Sequence, residues 1–269
     1  MNDIPYYERE RTAKRTPICE HALGTFTTVE TGDGSLTACF GDGETMHSLR
    51  GAFNETVYIY GTALENARQA LSAKGLNESP RTLSLGLGLG YVELLASAYA
   101  IKRGQTPRGE SFELVDELNA SFLAWLNGTE NSPLVPFRVY DEIAEKTATH
   151  ANERFPELKT ITAEDVRRAL AQAASDGEWL LRPALTRETK FENKFECVAF
   201  DAFSSKSTPE LWSRDFLDPF LQDACGTPCV LSTYACTGHL KRALTEGGFK
   251  LEIREGYASK RDCTLASRA

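Results

Sequence analysis

The chain has 269 residues, 41% of them apolar, with 38 acidic against 30 basic side chains and a formal charge of −8. That supports one large core or a core with an appendage, and no apolar run approaches the roughly 18 residues that a membrane-spanning helix needs. The acidic balance argues against a non-specific nucleic-acid coat, which takes a surplus of Lys and Arg, while leaving room for a local basic face.

The opening residues are polar and charged, so neither a signal peptide nor a membrane anchor is expected, and the cytoplasm is the expected location. "GTFTTVETGDGSLTACF" holds two alternating runs around Gly32-Asp33-Gly34, the signature of a hairpin. Leu64, Ala67, Leu71 and Ala73 then follow helical spacing up to Gly75. Residues 1–75 therefore read as a β-rich extension with a linking helix.

From residue 76 to 269 strands and helices alternate, as in a parallel α/β sheet. "TLSLGLG" is a buried strand that leads into the helix "YVELLASAYAIKRG", and "SFELVDEL" reads as the next strand. Residues 118–160 are too long for a bare loop and contain the helical "DEIAEKTATHANERF", so they read as a helical insertion over the strand ends. "FECVAFDAF" and "PCVLSTYA" are further strands, followed by the helices "PELWSRDFLDPFLQDA" and "GHLKRALTEGG". "FKLEIREGY" and "KRDCTLASR" have no helix between them, which predicts a C-terminal antiparallel hairpin closing the sheet. Seven cysteines without a regular framework suit reduced, mostly buried thiols, and four scattered histidines give no reason to expect a structural metal.

Gly86, Gly88 and Gly90 fall at every second position between a strand and a helix. Removing Cβ there lets a ligand reach the backbone at the carboxyl edge of a doubly wound sheet. Tyr91 stands where a dinucleotide fingerprint needs its last glycine, and no Gly-Lys-Ser/Thr follows, so neither a pyrophosphate site nor a phosphate loop fits. Gly-x-Gly-x-Gly with Asp116 or Glu117 ending the next strand suits an adenosine whose ribose hydroxyls bond to the acid. Asp201, at the carboxyl end of "FECVAFDAF", should reach the same edge, with Thr208 and Pro209 opening the following helix.

Five segments, "GETMHSLRGAFNETVYIYG", "LGLGLGY", "FDAFSSKSTPELW", "STYACTGHLKRALTEGGF" and "EGYASKRD", together resemble the tRNA wobble-uridine methyltransferases of the MnmC type. The likeness is to their methyltransferase domain standing alone, without the FAD-dependent oxidase half. It implies a class I fold, Rossmann-like and mostly parallel, that uses S-adenosyl-L-methionine. The implied reaction methylates the amino group of 5-aminomethyl-(2-thio)uridine in tRNA. Gly86, Gly88 and Gly90 would then line the cofactor, Asp116 would hold the ribose, and Asp165 would stand near the adenine. His47, Glu55 and Tyr58 would cover the cofactor, while Asp201 and Phe203 would face the methyl and the incoming amine. A separate FAD-dependent oxidase would act upstream.

The segments depart from the family at Val92, Ser205 and Ser207, with Lys206 one place from the usual lysine. Candidates for a tRNA-binding face are Arg11, Lys14, Arg15, Lys206, Lys241, Arg242, Lys260 and Arg261. Two rival expectations stand beside this one: a class I methyltransferase for a small amine, and a non-catalytic adenosyl-binding protein.

Overall fold

The computed structural model describes residues 15–21, 24–40, 45–129, 135–202, 208–259 and 262–269. Near the N-terminus β1 (Arg15–His21), β2 (Gly24–Glu30) and β3 (Leu36–Phe40) form an antiparallel sheet in that order. The β2–β3 hairpin is the one expected at Gly32-Asp33-Gly34; β1 precedes the region that alternation had marked.

Side chains of the hairpin turn receive the first free N–H groups of the next helix, α1 (Ala52–Thr56). Ala52 N–H donates to Thr31 Oγ1 at 3.1 Å, Phe53 N–H to Ser35 Oγ at 3.0 Å, and Asn54 N–H to Asp33 Oδ2 at 2.9 Å. These are the orphan donors of a helix start, satisfied from another element. Burial alone would raise the Asp33 carboxyl, but bonds from Ser35, Asn54 and Thr31 bring it below its ordinary value. The helix continues through one π-helical turn, Val57–Gly61, into α2 (Thr62–Ala73), and the chain turns at Gly75, where φ is +77°.

The main sheet has seven strands, β4 (Arg81–Leu85), β5 (Arg108–Phe112), β6 (Trp179–Arg182), β7 (Phe195–Phe200), β8 (Cys225–Thr233), β9 (Lys250–Arg254) and β10 (Cys263–Arg268). Their spatial order is β6-β5-β4-β7-β8-β10-β9. The β4–β5, β5–β6, β4–β7 and β7–β8 pairs are parallel, and β10 runs antiparallel to both β8 and β9. The expected closing hairpin is present, with its second strand inserted between the first and β8. Strand order reverses between β4 and β7, and that is where a doubly wound sheet opens a crevice at its carboxyl edge.

Alternate residues of β7 feed the two faces. Cys197 joins the core with α3 (Tyr91–Lys102), while Val198 and Phe200 join Phe216, Leu217 and Phe220 of a helix on the other side. α3 is apolar all round and buried along nearly its whole length, as expected of a helix sandwiched between layers. α4 (Asp116–Asn127), α5 (Phe137–Arg154) and α6 (Ala163–Ser175) lie between β5 and β6 in the chain. α5 packs against α3 and α6, so the predicted helical segment is a layer over α3 rather than a cover for the strand ends. Beyond β7, α7 (Arg214–Ala224) and α8 (Gly238–Glu246) pack against each other.

Two sequence expectations shift. The second strand of the parallel portion lies at Arg108–Phe112, not over "SFELVDEL", and α4 has begun by Asp116. β6 had not been expected. The polar residues in these strands hid them: Glu110 is buried and pairs with Arg182 at 3.4 Å. A Cβ on Gly109 would come 2.3 Å from the Thr82 carbonyl oxygen, a close backbone approach that only glycine allows. Cys197, Cys225, Cys229, Cys236 and Cys263 are free thiols, all but Cys236 buried. Among the described residues no helix is long and apolar enough to cross a membrane.

Candidate functional site

An open pocket sits at the β4/β7 reversal. Gly86, Leu87 and Gly88 form its floor, Asp201 and Ala202 one side, and Met46, His47, Glu55, Ile59 and Tyr60 the wall built by the N-terminal segment. The turn at Gly86 and the carboxylate at Asp201 thus border one cavity. Three of its lining residues are acidic, Glu55, Glu113 and Asp201, and none of the described ones is Lys or Arg.

The three glycines answer to different neighbours. At Gly86, φ is +97° and a Cβ would stand 2.7 Å from the Asp201 carbonyl oxygen. Gly90, with φ +77°, begins α3, and a Cβ there would strike the Phe122 ring at 2.4 Å. Gly90 is therefore explained by packing and does not line the pocket. Gly88 is the one that faces the opening, its nearest obstacle being Met46 Sδ at 3.0 Å from the Cβ position.

Glu113 ties this turn to the second strand. Gly88 N–H donates to Glu113 Oε2 at 2.8 Å and Val115 N–H to Oε1 at 3.0 Å, while Gly86 N–H donates to the Phe112 carbonyl at 2.9 Å. Burial raises the Glu113 carboxyl, and the N–H groups of Gly88, Val115 and Leu114 partly counter that. The acid at the strand end is thus Glu113. Asp116, expected there, is an exposed first residue of α4 outside the pocket, with Glu117 beside it in the same helix. The strand starts three residues and ends six residues earlier than its hydrophobic pattern implied, and Glu113 would have been found had "RGESF" been recognised as the strand.

Asp165 also lies elsewhere. Thr162 N–H donates to its Oδ2 at 2.9 Å, its own N–H donates to Thr162 Oγ1 at 3.1 Å, and Arg168 bonds to Oδ1 at 2.7 Å. This is a capping box at the start of α6, and these hydrogen bonds, led by that from the Thr162 N–H, hold the carboxyl below its ordinary value. Tyr58 points away from the cavity: its hydroxyl donates to the Glu255 carbonyl at 2.8 Å and Arg254 covers its ring at 4.3 Å. Thr208 makes no side-chain cap; it precedes a short 3-10 turn, Pro209–Trp212, and α7 starts only at Arg214.

His47 and Glu55 do line the pocket. His47 N–H donates to Thr37 Oγ1 at 3.1 Å, its ring meets Tyr91 edge-on at 4.8 Å, and Ser48 N–H donates to Glu55 Oε2 at 2.6 Å. Sequence reasoning missed Tyr60 and Tyr234. The Tyr234 hydroxyl donates to the Ala202 carbonyl at 2.9 Å, fixing the backbone beside Asp201. Phe203, Ser205, Lys206 and Ser207 lie outside the described residues, as do Arg11, Lys14, Lys260 and Arg261; Lys241 and Arg242 stand on α8 and do not line the cavity.

On the other side of Gly86 a second space of about 500 Å³ shares Gly86, Glu113 and Ala202 with the first. Phe112, Leu114, Leu185 and Leu211 make it an apolar slot. A pocket with acidic side chains and an apolar slot, bridged by a buried carboxylate, suit a ligand with one charged end and one flat apolar end.

Comparison with known proteins bears on what that ligand is. Residues 141–269 match the family described as S-adenosyl-L-methionine-dependent methyltransferase. The tRNA 5-methylaminomethyl-2-thiouridine biosynthesis bifunctional protein MnmC of Hahella chejuensis is 35% identical over 72 residues, 27% of this chain and 11% of that protein. An uncharacterized protein of Methanocaldococcus jannaschii is 27% identical over 249 residues, 92% of this chain and 59% of its own length. The chain therefore spans less than two thirds of either relative. In fold, the crystal structure of MNMC2 from Aquifex aeolicus superimposes with a TM-score of 0.61 at 22% identity, covering 92% of this chain and 71% of the other.

Proposed function

We propose that this chain is an S-adenosyl-L-methionine-dependent methyltransferase of the MnmC type, as the family match over residues 141–269 and the relatives' names support, and that it methylates a primary amine, the aminomethyl group of a 5-aminomethyl-(2-thio)uridine at the tRNA wobble position. One observation carries the choice of an amine: the pocket is lined by Glu55, Glu113 and Asp201 and by no described Lys or Arg. Such a lining favours cations, and both a sulfonium and an alkylammonium are cations.

The residues fit the cofactor. Gly88 leaves the floor open, Glu113 can accept from ribose hydroxyls with the lone pairs its backbone bonds leave free, and the slot beside Leu114 and Leu185 takes the adenine. His47 and Glu55 close over the amino-acid end. In this reading the ribose falls to Glu113, and neither Asp116 nor Asp165 takes part. The bound cofactor supplies an activated methyl group; the protein has to align a nucleophile with it.

Asp201 is the group for that task. An amine attacks only as the free base, and the Asp201 carboxylate orients the nitrogen and receives its proton. Tyr234 holds the backbone there through Ala202, and Gly86 lets the turn close against the Asp201 carbonyl. Phe203, outside the described residues, keeps the role the resemblance implies, facing the methyl and the incoming amine.

The tRNA part of this reading rests on what the relatives' names say of them. A separate FAD-dependent oxidase would supply the amine, and both would work in the cytoplasm with the tRNA. The formal charge of −8 favours a second reading, a small-molecule amine as acceptor. Mass spectrometry of wobble nucleosides from cells lacking the protein separates the two. Accumulated 5-aminomethyl nucleoside, reversed by the wild-type gene and not by Asp201→Ala, is the expected result; an unchanged profile removes tRNA as the substrate.

A further inference from the structure

Tyr60 and Tyr140 are the described phenols whose hydroxyls the fold leaves unsatisfied, and Tyr60 is the one at the pocket. It lines the pocket, is 2% exposed, and packs with Ile59, Val92 and Ala199. Its hydroxyl has no hydrogen-bond partner, although buried hydroxyls nearly always have one. The pocket's other two phenols are engaged, Tyr91 with the Leu36 carbonyl and Tyr234 with that of Ala202. Tyr60 faces Asp201 without closing a bond of normal geometry. Burial first, and then the charge of Asp201 and the approach of its carboxylate to the hydroxyl, raise its pKa well above the ordinary phenol value, so the phenol stays protonated. It is held there by the π-helical turn Val57–Gly61, whose Ile59 carbonyl accepts from Ser232 Oγ of β8 at 2.9 Å. Single π turns inside helices occur often at functional sites.

A neutral primary amine has two N–H groups and one lone pair. Two acceptors on the N–H groups leave the lone pair a single direction. We propose that Tyr60 is a positioning residue which, together with Asp201, holds both N–H groups of a primary amine and thereby limits the enzyme to one methyl transfer. The inference rests on the amine reading above. Asp201 accepts one N–H and Tyr60 Oη the other. As the nitrogen–carbon bond forms, the carbon–sulfur bond breaks with its electron pair left on sulfur, and one proton of the new ammonium passes to Asp201. The product is a secondary amine with a single N–H. Turned back for a second round, it would leave Tyr60 unsatisfied and press its new methyl group against the hydroxyl, a loss that sites built to hydrogen-bond a substrate penalise heavily.

The test uses the full chain and two anticodon stem-loop RNAs, one with 5-aminomethyluridine and one with its N-methyl derivative at the wobble position. Wild-type protein is expected to give a single methylation and a kcat/KM on the secondary amine at least about tenfold lower. Tyr60→Phe is expected to lower kcat/KM on the primary amine by about tenfold, to close the gap between the two RNAs, and to yield dimethylated nucleoside by mass spectrometry. Binding measured with S-adenosylhomocysteine in place of the methyl donor is expected to show the same preference in wild type and none in the variant. Because the hydroxyl has no internal partner, the variant is also expected to melt no lower than wild type. A Tyr60→Phe enzyme that keeps the single-methyl product and the gap overturns the proposal, as does a wild type that dimethylates readily. So does a variant that melts well below wild type, since the hydroxyl would then have a partner within the fold. If wild type methylates neither RNA nor any small primary amine, the amine reading itself fails and this inference falls with it.

Discussion

The carbonyl oxygen of Asp201 stands 2.7 Å from where a Cβ of Gly86 would be. The strand that carries the pocket's carboxylate and the turn that forms its floor are therefore packed backbone to backbone. Their spacing is set by the absence of one carbon atom.

Gly86→Ala should separate the two. The residue has φ +97° and backbone in the way, so a loss on the order of 2 kcal/mol or more in stability is expected, with cofactor affinity falling as the floor shifts. Gly75→Ala is the control: φ is +77° but nothing lies within 4 Å, so strain alone should cost about 1 kcal/mol and binding should be unchanged. Thermal melting and isothermal titration with S-adenosylhomocysteine measure both. Equal affinities in the two variants would show that the Gly86–Asp201 contact does not shape the pocket.

Replacing the acids one at a time distinguishes Glu113 from Asp116. Glu113 is buried and holds the Gly88 N–H, while Asp116 is exposed on α4. Glu113→Gln is expected to weaken cofactor binding about tenfold or more, by removing charge-assisted bonds to the ribose; Asp116→Asn is expected to leave it unchanged. A strong effect at Asp116 would return the ribose to the site first read from the sequence.

A third expectation concerns pH. Glu93, fully buried under the sheet, accepts from Ser111 Oγ at 2.7 Å, and burial, only partly offset by that bond, raises its carboxyl from 4.5 to about 7. The folded protein therefore keeps a proton there that the unfolded chain has released. Its contribution to stability is whole below pH 4.5, falls as pH rises toward 7, and stays lost above that; the total is on the order of 3 kcal/mol. Glu93→Gln should flatten this part of the profile. Denaturant unfolding of both proteins between pH 5 and about 8 tests it, and parallel curves would mean that Glu93 does not titrate in this range.

Much of this was legible in the sequence. Strands buried on both faces read as short apolar runs, so β4, β7 and β8 could be placed with their helices, and with them Gly86 and Asp201 at one edge. Strands that carry charge read poorly: β5 was placed three residues late and β6 was not read. Glu110 and Arg182 satisfy each other across β5 and β6, a pairing invisible in either segment alone, and the resulting three-residue error moved the acid from Glu113 to Asp116. Asp165 lines neither space for a different reason: an acid three places after Thr162 serves a helix start, a pattern that reads the same as a ligand's acid. Tyr60 gave no signal, because its direction depends on the pitch of one turn.

That turn has a genetic corollary. A π turn takes about one residue more than an α turn to go once round, so deleting one codon within Val57–Gly61 would restore ordinary pitch, keep α1 and α2 facing as they do, and turn only the side chains of that stretch, Tyr60 among them. The hairpin that caps α1 would stay in place, with His47 and Glu55 still on the cavity. Frame-preserving losses here should therefore yield well-folded proteins that keep the roof and lose the phenol, whereas the same losses in the loop after Gly75 should pass unnoticed.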